Sequence, residues 1–87
     1  MLISFLIAHH KMPFYSIEYG GRNLNISITE SEVQSKRLKN HILRYFDNIT
    51  YDNLTLFVEG LNETMYELDE NEVVDYDTPV VLKIITN

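Results

Sequence analysis

Asp69, Glu70, Glu72, Asp75 and Asp77 place five carboxylates within nine residues, with Tyr66 and Tyr76 close by. Carboxylates grouped this way can do three things. They can ligate a hard cation, they can work in pairs as general acid and base, or they can meet a basic surface on another molecule. The first needs alternating ligands with a glycine at the sixth position and a glutamate at the twelfth. Counted from Asp69, Asn71 fits the third position, but Val73 and Val74 occupy the fifth and sixth, so the calcium-loop pattern fails. The second needs a cleft to hold a substrate between the carboxylates, and nothing in an 87-residue chain announces one. The third is supported by the distribution of charge along the chain.

Residues 47–77 contain ten of the thirteen acids and no Lys, Arg or His. Residues 1–45 hold three acids and six bases, a net of +3, whereas residues 46–87 hold ten acids and Lys83, a net of -9. These sum to the overall charge of -6. Charge segregated in this way creates a field that steers association with an oppositely charged partner. We therefore expect a protein partner with a basic surface, met by Asp69, Glu70, Glu72, Asp75 and Asp77, with Tyr66 and Tyr76 as aromatic anchors.

Other chemistries find less support. There is no Cys, which removes disulfides, thiolate metal sites and thiol nucleophiles and suits a cytoplasmic protein. His9 and His10 are adjacent, so on a strand their rings diverge, and no third metal ligand lies near. No nucleophile elbow or phosphate-binding glycine loop occurs. The reading is of a protein that is not an enzyme and carries no metal or cofactor. Lys36, Arg37, Lys39 and Arg44 form a short basic stripe, but four cations on a chain of net charge -6 make a poor phosphate-binding surface. Direct nucleic-acid binding is not expected. Four Asn-x-Ser/Thr sequons, beginning at Asn25, Asn48, Asn53 and Asn62, carry little meaning without a secretion signal. The Asn, Ile, Thr and Tyr richness instead suggests AT-rich coding, common in phage and low-GC bacterial genes.

The elements that would position these groups follow from periodicity. Residues 14–19 read as a strand, Gly20-Gly21-Arg22-Asn23 as a turn, and residues 24–28 alternate apolar and polar, so the three form a hairpin. Thr29 and Glu32 match a capping box that opens a helix, and Leu38, Ile42, Tyr45 and Ile49 recur on one helical face, flanked by Val33 and Phe46. Residues 53–58 read as a strand ended by Gly60, residues 63–68 as a short exposed strand, and residues 69–77 as a polar loop crossing an edge. Residues 79–85 are mostly apolar and read as a central closing strand. Residues 2–8 are too short to span a bilayer and lack the basic start of a signal peptide. They read as an extra edge strand, able to pair with a second copy, or residues 1–11 are an extension ahead of Met12. No membrane association is expected, and a homodimer is open.

The expected architecture is one α+β domain over residues 1–87. It has a mixed or antiparallel sheet of four to six strands packed on one helix in the order ββαβββ. The segments Leu54-Thr55-Leu56-Phe57-Val58-Glu59-Gly60, Leu68-Asp69-Glu70-Asn71 and Val80-Val81-Leu82-Lys83-Ile84 resemble the ubiquitin-like β-grasp family. The resemblance covers residues 14–86 and implies a β-grasp-like fold. Conjugating members of that family end in a diglycine, whereas this sequence ends Ile85-Thr86-Asn87, so covalent attachment is not implied. The functional expectation is a non-catalytic acidic binding module. Its sharper form is a small phage-type inhibitor that mimics nucleic acid on a basic surface of a host enzyme. The alternative is a structural or assembly subunit that oligomerises through the N-terminal strand.

Overall fold

A computed structural model describes residues 13–85. The strand expected over residues 2–8 and the His9-His10 pair lie outside the described residues. The chain begins with β1 (Tyr15–Tyr19) and β2 (Arg22–Ile26), an antiparallel hairpin in which Tyr15 faces Ile26 and Tyr19 faces Arg22. Its turn is two residues long. Gly20 and Gly21 have φ of +57° and +81°, the pair of left-handed conformations that matches the twist of a tight hairpin and that glycine adopts without strain. Arg22 and Asn23, expected in the turn, are therefore already paired in β2.

The helix begins later than the capping-box pattern predicts. Thr29 donates to the Glu30 carboxylate at 3.3 Å instead of capping a helix, and Glu32–Gln34 form a short strand, β3. The helix α1 spans Ser35–Ile42 and runs on into a 3-10 turn at Leu43–Tyr45. Leu38 and Ile42 are fully buried, as their spacing predicts, whereas Tyr45 is exposed. Helical winding stops there, with Phe46 extended at φ -130° and ψ 138°, so the helical face does not continue. Phe46 packs instead, edge-to-face with Tyr19 at 5.4 Å. Ile49 joins the core edge from beyond the helix, after Asn48 turns the chain at φ +63°.

Four strands follow: β4 (Leu54–Glu59), β5 (Met65–Glu67), β6 (Val73–Asp75) and β7 (Val80–Ile84). The main sheet has the order β2-β1-β7-β4-β5. The β1–β7 pairing is parallel and the others in that sheet are antiparallel. β3 and β6 pair separately in antiparallel register, with Val33 opposite Val74. The architecture is α+β, a β-grasp-like ββαβββ layout with a small two-stranded sheet added. The apolar closing strand β7 is central, as expected. The segment expected to be a loop over residues 69–77 contains a strand instead. Its single inward residue, Val74, is 1% exposed, so β6 contributes to the core.

One face of the main sheet carries Ile17, Leu54, Leu56, Val80 and Leu82, packed with Leu38 and Ile42 of α1. At a period of two, Ser16, Glu18, Phe57, Glu59, Val81 and Lys83 alternate to the opposite face. Two tyrosines brace the segment between β2 and β3. Tyr15 donates its hydroxyl to the Glu30 carbonyl and Tyr76 donates to the Ile28 carbonyl, both at 2.7 Å, and their rings meet at 4.7 Å. No helix among the described residues is long and apolar enough to cross a membrane.

A candidate acidic interaction surface

Each candidate carboxylate is placed by backbone that something else requires. α1 lacks a side-chain cap at Gln34, so its first N–H groups need other acceptors. They find them in the acidic turn, where Ser35 N–H donates to the Glu72 carbonyl at 2.7 Å and Lys36 N–H to the Glu70 carbonyl at 3.0 Å. The turn closes on itself as well. Glu72 N–H donates to the Asp69 carbonyl at 3.1 Å, and Asp69 N–H donates to the Glu72 carboxylate at 3.0 Å. Residues 69–72 are thus tied to the positive end of the helix dipole, where carboxylates are favoured. Their backbone is a helix cap, while the side chains of Asp69 and Glu70 remain exposed.

Asp75 ends β6, and Asp77 sits in the turn between β6 and β7. The Asp75 carboxylate accepts from Asp77 N–H and from the Thr78 hydroxyl, both at 2.9 Å, and Asp75 N–H donates to Thr78 Oγ1 at 3.0 Å. Asp75 therefore builds the turn. Asp77 is exposed and, with Glu18 and Glu59, borders a shallow depression of about 250 Å³ on the sheet face away from α1. Among the described residues, no three His, Cys, Asp or Glu side chains are grouped so as to hold a metal ion.

The two expected aromatic anchors separate. Tyr76 is half-buried against Tyr15 and its hydroxyl is committed to Ile28. Tyr66 is 63% exposed on β5, one of the two edge strands of the main sheet. Beside it lie residues the sequence reading did not single out. Leu61 is 87% and Met65 40% exposed, and Glu59, Glu63 and Glu67 are exposed on the same hairpin. Residues 63–68 read from sequence as a short exposed strand, but nothing local marks that strand as an edge. Gly60 lies under the Tyr66 ring, because a Cβ there would approach Tyr66 Cε2 to 2.9 Å and Thr64 Oγ1 to 2.8 Å.

The electrostatics follow from what is left unpaired. Among the described residues the only ion pair joins Arg37 to Glu30. Hydrogen bonding from Arg37, against a smaller desolvation effect, holds the Glu30 carboxyl below its ordinary value. All ten acids of residues 47–77 are exposed and none is in an ion pair among the described residues. Glu70 lies close enough to Tyr51 to assist burial in raising the phenol pKa. Lys39 Nζ lies over that ring, 3.9 Å from its centroid. The remaining helix cations, Lys36 and Arg44, are exposed. His41 is shifted below its ordinary pKa by burial, then by Arg44 and Arg37.

The chemistry available to this arrangement is charge and contact. Glu59, Glu63, Glu67, Asp69 and Glu70 are exposed along β4, β5 and the turn that follows, as are Leu61, Met65 and Tyr66. Comparison of the chain with protein-family models, curated proteins and solved structures finds no match in any of the three.

Proposed function

We propose that the chain is a non-catalytic protein-binding module whose acidic rim meets a basic surface on a larger cytoplasmic partner. The observation that carries this reading is that all ten acids of residues 47–77 are exposed and free of ion pairs among the described residues. Unpaired carboxylates on ordered backbone are already arranged for a cationic surface. They also keep a long-range field that paired charges would cancel. The surface of matching chemistry is the phosphate-binding groove of a nucleic-acid enzyme, and occupying it would make the module an inhibitor of the kind phages direct at their hosts. The strand order, with β1 and β7 parallel, is compatible with a β-grasp-like layout.

The test is affinity capture from host lysate at low and at physiological salt, with nucleic acid as competitor. Binding should weaken about tenfold as the Debye length contracts toward 8 Å, and nucleic acid should displace the module. The variant that isolates charge neutralises Glu59, Glu63, Glu67, Asp69, Glu70 and Asp77 to amides. Glu72 and Asp75 are left intact, because their carboxylates hold turns together. A partner retained by that variant, or bound together with its nucleic acid at high salt, would overturn the proposal.

A further inference from the structure

The β4–β5 hairpin ends the sheet with a hydrogen-bonding edge whose availability can be read from its register. Gly60 N–H donates to the Thr64 carbonyl at 2.7 Å, and Leu68 N–H donates to the Leu56 carbonyl at 2.8 Å. Pairing alternates between hydrogen-bonded and non-hydrogen-bonded positions, so Val58–Tyr66 is the bonded pair between those two. Met65 and Glu67 occupy the alternate positions. Their N–H and C=O groups point away from β4, toward the free side of the sheet. All three residues of β5 are exposed, and no strand among the described residues covers it.

An open edge of this kind recruits strands unless its side chains forbid them. Here they forbid one class and invite another. Pairing β5 with the β5 of a second copy would bring Glu63 and Glu67 of both chains together, and each copy carries a net charge of -6. A cationic strand meets no such penalty. We infer that the β5 edge takes up an extended basic segment of a partner protein as a sixth strand of the main sheet. Met65 and Glu67 supply the backbone hydrogen bonds, Glu67 faces a Lys or Arg on the incoming strand, and Tyr66, on the helix-side face, packs against an apolar neighbour of that cation. Alternating basic and apolar residues are the matching sequence, because successive side chains point to opposite faces. This inference rests on the acidic-module reading and names the form its partner takes.

The probe is a synthetic peptide of alternating lysine and valine, titrated into the ¹⁵N-labelled full chain at low salt. The expected result is slowed hydrogen exchange at the Met65 and Glu67 amides, with shifts centred on β5. Met65→Pro removes one outward N–H and leaves the β4 pairing intact. Thr64, at φ -75° and ψ 148°, already has the extended conformation that precedes proline. It should weaken binding about tenfold, the loss of a central hydrogen bond. Should that variant fail to fold, Glu67→Lys serves: it should abolish lysine–valine binding and gain affinity for a glutamate–valine peptide. Binding that shifts only the Asp69, Glu70 and Glu72 amides and ignores both variants would overturn the edge inference while sustaining the acidic module. Absence of binding at low salt would overturn both. Equal binding of a serine–valine peptide, or a mass that doubles without peptide, would assign the edge to an uncharged strand or a second copy and overturn the inference.

Discussion

Ser35 is buried in full at the first turn of α1, and its hydroxyl finds no hydrogen-bond partner among the described residues. An unsatisfied buried hydroxyl costs more than its absence, and alanine is the better helix former. Ser35→Ala should therefore stabilise the fold by about 1 kcal/mol, read as a rise in Tm; a fall would show that the hydroxyl is bonded in solution. The two candidate tyrosines predict opposite outcomes. Tyr76→Phe frees the Ile28 carbonyl inside a part-buried brace and should cost about 1 kcal/mol. Tyr66→Ala, on an exposed edge, should change stability by less than about 0.5 kcal/mol while weakening partner binding. His41 adds a pH signature. Its folded pKa is depressed below 6.5, so its contribution is present above that pH and declines as pH falls through the depressed value. Subtracting the urea-unfolding pH profile of His41→Gln from that of the parent should expose this slope. A flat difference between pH 7 and 5 would remove His41 from the account.

Among the elements, β1, β2, β4 and β7 are legible in the sequence because each is an apolar-bearing stretch of five or six residues, alternating in β2 and nearly continuous in β7, with Gly20-Gly21 and Gly60 as punctuation. β3 and β6 are not. Each is three residues long with one buried valine, and a single apolar residue shows no period. The start of α1 was concealed for a related reason. Thr29 and Glu32 fit a local capping pattern, but long-range contacts decide the segment: Tyr15 takes the Glu30 carbonyl and Val33 pairs with Val74. The cap that the helix uses comes from residues 70 and 72, too distant in sequence for a local motif to reveal. The same distance explains the candidate site. The acids were visible from composition, but the division between cap, turn and open rim depends on contacts across the fold. Glycines give the element-scale prediction. Gly20→Ala or Gly21→Ala meets open space but a positive φ, and should cost about 1 kcal/mol each. Gly60→Ala has no such backbone penalty and must instead displace Tyr66 or Thr64. It should perturb the Tyr66 ring signals in NMR and lower partner affinity more than it lowers Tm.

At the scale of the whole molecule, the same carboxylates act on stability and on binding with opposite salt dependence. One ion pair is found among the described residues, and the net charge is -6. In the free protein the acidic half therefore repels itself. Unfolding relieves that repulsion by separating the charges, and salt relieves it by screening, since the Debye length falls from about 30 Å at 0.01 M to about 10 Å at 0.1 M. Raising NaCl over that range should stabilise the free module, and 1 kcal/mol in a domain of this size is about 4–8 °C of Tm. The complex should respond in the reverse direction, because screening removes the attraction between the acidic rim and a cationic partner. Measuring both on one preparation, Tm by calorimetry and affinity by titration, separates two origins for the charge. Acids placed for a partner give a Tm that rises while affinity falls. Acids placed to hold the fold together would give a Tm that falls with salt, and that result would remove the electrostatic basis for reading this rim as a binding surface.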